Sequence, residues 1–146
     1  MSETYIPAAL RREVRSRAAL CCEYCRMAEG DRSIDFVIDH VIAEKHGGQT
    51  ASGNLCLSCY PCNSYKGSDL SSVDWGFGDS IVPLFNLRQQ RWHDHFQLTG
   101  AVIQPITATG RVTVFLLRLN TPERLEEREL LILLGHYPCQ TLANSG

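Results

Sequence analysis

Cys22 and Cys25, then Cys59 and Cys62, form two Cys-x-x-Cys units. Two residues between thiolates let one tight turn present both sulfurs to a single tetrahedral ion, and four such sulfurs close a structural zinc site. Around the second unit runs a set of residues that could do further chemistry: Asp39-His40, a Gly47-Gly48 loop, Asn54-Leu55, then Asn63, Lys66 and Gly67. Imidazole is the side chain whose ordinary pKa lies nearest neutrality, which suits it to proton transfer. A carboxylate and an amide oxygen suit a hard divalent cation.

These groups need a scaffold. The stretch between the cysteine pairs, from Arg26 to Ser58, is longer than the roughly 15 to 20 residues of a simple zinc ribbon, so a folded unit should occupy it. Ser33 to Ala43 is β-branched and apolar, with Ile34, Phe36 and Ile38 alternating against Asp35, Val37 and Asp39, which predicts a strand. Lys45 to Gly53 is a polar, Gly-rich loop, and Leu55-Cys56-Leu57 is a short return strand. Tyr60 to Lys66 should be a short helix stopped at Gly67. The expected order is strand, loop, strand, helix.

On Cys22, Cys25, Asp39, His40, Gly47, Gly48, Asn54, Leu55, Cys59, Cys62, Asn63, Lys66 and Gly67, the first half of the chain resembles the HNH endonuclease family. That family has a ββα-metal finger, often braced by a four-cysteine zinc site. The resemblance implies His40 as general base, Asn54 as the residue holding the loop that orients it, and Asp39 with Asn63 as ligands of a catalytic cation. Asn63 stands where many relatives carry the last histidine of the family name. An all-oxygen site favours Mg2+ or Mn2+. Lys66, one helical turn beyond Cys62, is the expected phosphate ligand. The implied activity is metal-dependent hydrolysis of DNA phosphodiester bonds, with RNA also compatible.

The residue types suit that chemistry. Phosphodiester cleavage needs a proton acceptor and a cation to neutralise charge developing on phosphate oxygens. One geometric difficulty is visible: neighbours on a regular strand point to opposite faces, so Asp39 and His40 serve one site only if the strand ends, twists or bulges there. Two other readings stay open. The whole motif could be scaffold, with Asp39, His40 and Asn54 capping turns, or it could be a nucleic-acid-binding or interaction module that kept the fold and lost cleavage. A redox role for the spare Cys21 has no further support in the sequence.

A chain of 146 residues with 44% hydrophobic content is long enough for one domain with a core. The longest apolar stretches, Val114 to Leu117 and Leu130 to Leu134, are too short to span a membrane, and no signal-like start is apparent. A cytoplasmic protein is therefore expected. Seven cysteines, an odd count, with two Cys-x-x-Cys units, favour reduced thiolates on zinc over disulfides. Cys21, Cys56 and Cys139 are left over: Cys21 could compete for the metal in a shifted register, and Cys56 reads as a small core residue. A net charge of −2 is not the footprint of a broad basic surface, so nucleic acid would be held by local clusters. Ile6 to Leu20 reads as a helix with a basic face of Arg11, Arg12, Arg15 and Arg17, either solvated or set against phosphates.

The expected organisation is α+β. Residues 1–72 form the nuclease domain with its N-terminal helix, and 73–146 form a small α/β extension packed on it. Ser68 to Asp79 reads as a loop-like bridge, and Leu87 to Phe96 as a helix. Phe96 to Thr107 reads as a hairpin turning at Thr99-Gly100, and Arg111 to Leu119 as either a buried helix or a strand, with a helix entered from Thr109 preferred. Pro122 to Leu134 is a helix with Thr121 as N-cap. Leu84-Phe85-Asn86, Gln90-Arg91-Trp92, His95-Phe96 and Gly110-Arg111 through Arg118-Leu119-Asn120 resemble the extension found after the nuclease motif in one bacterial branch of the family. Trp92 and Phe96 are expected in the core. His93 and His95, two apart on a helix, cannot face one ion, and His46 and His136 are expected bystanders.

Overall fold

A computed structural model describes residues 5–30 and 36–140. The first helix, α1 (Ala8–Arg17), begins after Pro7 and buries Val14. It ends where Ala19 and Leu20 take left-handed φ values of 54° and 58°, a conformation that side-chain-bearing residues adopt rarely. This turns the chain toward the first cysteine pair. The basic face of α1 is largely used within the fold: Arg17 donates to the Ser52 and Leu55 carbonyls at 3.1 and 2.8 Å, and Arg15 pairs with Glu29. Arg12 is exposed.

β1 (Val37–His40) and β2 (Leu55–Ser58) form an antiparallel hairpin with Val37 opposite Ser58 and His40 opposite Leu55. Their connection holds two single 3-10 turns, Glu44–His46 and Ser52–Asn54. α2 (Tyr60–Lys66) follows at once, starting after Cys59, with Pro61 in its first turn and Gly67 at its end. The strand, loop, strand, helix order matches the sequence expectation. Ser33, Ile34 and Asp35 of the expected strand lie outside the described residues.

The bridge after Gly67 is not a loop but a hairpin, β3 (Ser71–Val73) with β4 (Ile81–Pro83), paired Ser71 to Pro83 and Val73 to Ile81. Three-residue strands carry too little alternation to show in sequence. Tertiary contacts hold the turn: buried Asp74 receives two hydrogen bonds from Arg111, at 3.0 and 2.8 Å, and the Arg111 guanidinium lies 4.0 Å from the Phe77 ring centre. The expected helix from Leu87 shrinks to α3 (Trp92–His95). The Asn86 carboxamide accepts from the Arg88 and Gln89 amides, at 2.9 and 3.2 Å, while Gln90 accepts from the Asn86 amide. Such local bonds compete with helix formation.

β5 (Phe96–Thr99) and β6 (Val102–Pro105) pair as a hairpin whose turn is Gly100-Ala101. The next segment is helical as expected, but α4 (Ala108–Leu116) starts earlier, capped by Thr107, whose hydroxyl accepts from the Gly110 amide at 3.0 Å. Gly110 has a further reason to be glycine, since a Cβ there would stand 2.3 Å from the His95 carbonyl oxygen. α5 (Pro122–Leu133) is capped by Thr121.

Buried residues from both halves of the chain form one cluster, joining Val14, Cys22, Leu55 and Leu57 to Phe85, Trp92, Phe96, Ile103, Leu117 and Tyr137. Burial of this apolar surface drives the packing. Trp92 and Phe96 are core residues, 2% and 1% exposed, and the Trp92 indole donates to the Tyr24 carbonyl at 2.8 Å. Among the described residues, no helix is long and apolar enough to cross a membrane.

The cysteine expectation needs one correction. Cys21 and Cys139 form a disulfide with their Cα atoms 5.8 Å apart, so not every thiol outside the zinc set is free. The two are separated by 118 positions, and only the folded chain brings them together: the Cys139 amide donates to the Arg26 carbonyl at 2.9 Å, and Cys21 bridges to Ala28. Five cysteines remain as thiols. Thiol titration of the denatured, metal-free chain should therefore give five reactive groups without reductant and seven after reduction. Seven in both conditions would remove the bond.

Candidate functional site

Each half of the cysteine cluster comes from a different local structure. Cys22 and Cys25 flank a tight turn closed by the Arg26 amide on the Cys22 carbonyl at 3.0 Å, with Arg26 left-handed at φ 68°. Cys59 and Cys62 sit at the start of α2, where the Asn63 amide bonds the Cys59 carbonyl at 3.0 Å. All four are buried, and their Sγ atoms lie within 4.8 Å of one another. The Cys25 and Cys59 sulfurs are 3.7 Å apart, and zinc at about 2.3 Å from each of four tetrahedral sulfurs sets them about 3.8 Å apart. The donor set fits zinc. Hydrogen bonds from Cys22, Cys59 and Cys62 hold the Cys25 thiol well below its ordinary range, while burial, then Cys22, Cys25 and Cys59, pushes Cys62 well up. Four thiolates packed this closely repel one another, and a bound cation is what would stabilise them.

Residues of the C-terminal half close over this cluster. The Tyr137 hydroxyl donates to the Cys25 carbonyl at 2.7 Å. Arg124 of α5 reaches the sulfurs of Cys62 and Cys59 at 3.0 and 3.8 Å. Arg88 pairs with Glu23, whose other oxygen accepts from the Leu57 amide at 2.9 Å. None of these partners was visible as a cluster neighbour in the sequence.

His40 is the last residue of β1 and only 3% exposed. Its Nε2 lies 2.9 Å from the Thr50 hydroxyl oxygen, a partner that sequence reasoning missed. The loop joining them is clamped by Asn54. Its Oδ1 accepts from the Ile42 amide, and its Nδ2 donates to the Ile42 and Gln49 carbonyls, all at 2.9 Å. Gly48 passes so close that an added Cβ would stand 1.7 Å from the Ile42 carbonyl oxygen and 2.8 Å from Asn54 Nδ2. Any larger residue would displace the clamp.

Asp39 pairs opposite Cys56 and is half-buried. β1 keeps its register through Asp39 and ends at His40, the place where a strand must end if the two neighbours are to serve one site. Asn63 is half-buried on α2, three residues before Lys66 and therefore on a neighbouring position of the same helix face. Lys66, the expected phosphate ligand, is instead 3% exposed, and its ammonium donates to the Val41 carbonyl at 3.0 Å. Burial lowers its pKa, opposed by the charges of Cys56, Asp39 and Asp69. The structure gives Lys66 a structural partner, tying α2 to the turn after His40. His46 Nε2 lies 3.1 Å from the Ser68 carbonyl oxygen, and His95 Nδ1 lies 2.6 Å from the Thr107 hydroxyl oxygen.

The family model described as HNH endonuclease matches residues 22–69, from the first cysteine of the cluster to just past α2. No curated protein and no solved structure matches the chain. The match suggests a nuclease-type or nucleic-acid-interacting function for that segment.

Proposed function

We propose that the HNH domain at residues 22–69 hydrolyses DNA phosphodiester bonds, with His40 as general base and Asp39 and Asn63 as ligands of a catalytic cation. The observation that carries this reading is the loop built around His40. A structural zinc finger has no need of an Asn54 clamp making three hydrogen bonds or of a glycine wedged against it. Together they fix the backbone that presents His40 and Thr50.

With Thr50 accepting from Nε2–H, His40 keeps Nδ1 as a proton acceptor. Nδ1 takes the proton of an attacking water, the resulting hydroxide forms the new P–O bond, and the leaving oxygen departs with a proton from solvent. Asp39 and Asn63 offer oxygen donors, which fit Mg2+ or Mn2+. Such a cation, when held there, supplies positive charge to the phosphate oxygens. Lys66 acts as a positioning residue through Val41. Zinc remains the brace.

The burial of His40 favours a second reading, in which the same finger binds nucleic acid without cutting it. Asp39→Ala separates the catalytic cation from the zinc. It should lose most cleavage while zinc stays near one per chain by elemental analysis. Loss of zinc with the carboxylate would show that Asp39 belongs to the brace.

A further inference from the structure

Arg124 lies in the first turn of α5, a position where the helix dipole disfavours a cation. Its guanidinium is nevertheless directed into the cysteine cluster, with Nη2 at 3.0 Å from Cys62 Sγ and 3.8 Å from Cys59 Sγ. Nη1 is anchored by the Leu117 and Arg118 carbonyls, at 2.9 and 3.3 Å, where α4 ends. One planar fork thus joins the metal cluster to the end of one helix and the start of the next.

Four thiolates around zinc(II) leave a double negative charge in a buried site, and such a charge is costly unless paired. Two arginines of α5 come within electrostatic reach. Arg128, one turn on, spends its donors on the Ala101 carbonyl and the Asn120 carboxamide, at 2.7 and 2.9 Å. Arg124 alone of the two touches sulfur.

We propose that Arg124 is a working part of the zinc centre: it donates to the Cys59 and Cys62 thiolates, lowers their reactivity and slows release of the metal. A thiolate that accepts an N–H hydrogen bond is a weaker nucleophile and a poorer proton acceptor, and protonation of a ligand is one route by which zinc leaves. The inference rests on the zinc assignment and not on nuclease activity. It makes the extension, 62 residues away in sequence, a component of the brace.

Arg124→Gln and Arg124→Lys, with Thr121→Ala as a control that loosens the same helix start, are compared for zinc transfer to a chromogenic chelator. The Co2+-substituted proteins are compared by absorption. Arg124→Gln should bind zinc about 10- to 100-fold more weakly, the usual loss when a partner of a metal ligand is removed, and release it correspondingly faster. Its thiolate-to-cobalt charge-transfer band should move to lower energy. Arg124→Lys, which keeps the charge and loses the fork, should fall between, and it carries the test if the glutamine variant does not fold. Thr121→Ala should leave the band in place. The proposal is overturned if both Arg124 variants release zinc within twofold of the parent, if the cobalt band does not move, or if Thr121→Ala at matched loss of Tm releases zinc as fast. A parent protein that purifies folded without zinc removes its premise and leaves the nuclease reading to its own test.

Discussion

His40→Ala is expected to lose cleavage by about 10²- to 10⁴-fold, the usual contribution of a positioned general base, while retaining zinc and binding DNA within a few-fold. The imidazole is buried against Thr50, so its removal also leaves a partner unsatisfied, at a cost of about 1 to 3 kcal/mol. That loss is small enough for the variant to stay folded well below its Tm. The two effects separate by measurement: cleavage at a temperature where circular dichroism shows a native fold reports the chemistry, and the shift in Tm reports the packing. Thr50→Val should give a smaller loss, because it removes only the group that orients the ring. A folded His40→Ala protein that cuts at the parental rate would leave the imidazole with a structural part alone.

Cys59→Ser should cost the fold itself. Cys59 is 6% exposed, at the junction of β2 and α2, and the other three cysteines of the cluster are fully buried. Structural zinc contributes an apparent 10 to 16 kcal/mol in small zinc modules, while a whole domain is stable by only about 5 to 15 kcal/mol. Losing one ligand therefore removes an amount comparable to the net stability. The expected result is poor solubility, less than one zinc per chain and a broad, early thermal transition. Full zinc content with an unchanged Tm would dismiss the brace. The Cys21–Cys139 disulfide lies next to Cys22 in the chain, so the melt should be run with that bond both intact and reduced.

What was legible in the sequence was local. The cysteine spacing named the zinc set because each pair sits in one turn. Tyr60 to Lys66 announced α2 because Cys59 opens it, Pro61 suits its first turn and Gly67 stops it. The hairpin between the pairs followed from alternation within a few residues. The features that escaped depend on residues far apart: Asp74 finds Arg111 across 37 positions, Arg124 finds Cys62 across 62, and Cys21 meets Cys139 across 118. Lys66 shows the same limit from the other side. Its place one turn after Cys62 suggested a phosphate ligand, yet whether that turn faces solvent or the Val41 carbonyl is fixed by how α2 packs against β1. From Leu87 the sequence suggests a helix, and the hydrogen bonds that the Asn86 and Gln90 side chains accept from backbone amides outweigh it.

The most direct test of the central claim is cleavage of a supercoiled plasmid by the zinc-loaded protein with Mg2+ or Mn2+ added and with neither, alongside His40→Ala prepared in parallel to expose contaminating nuclease. Nicked or linear products that require the added cation and vanish in the variant are the predicted result. A plasmid that stays intact with either cation, in the presence of folded protein that carries zinc and binds the DNA, would contradict it.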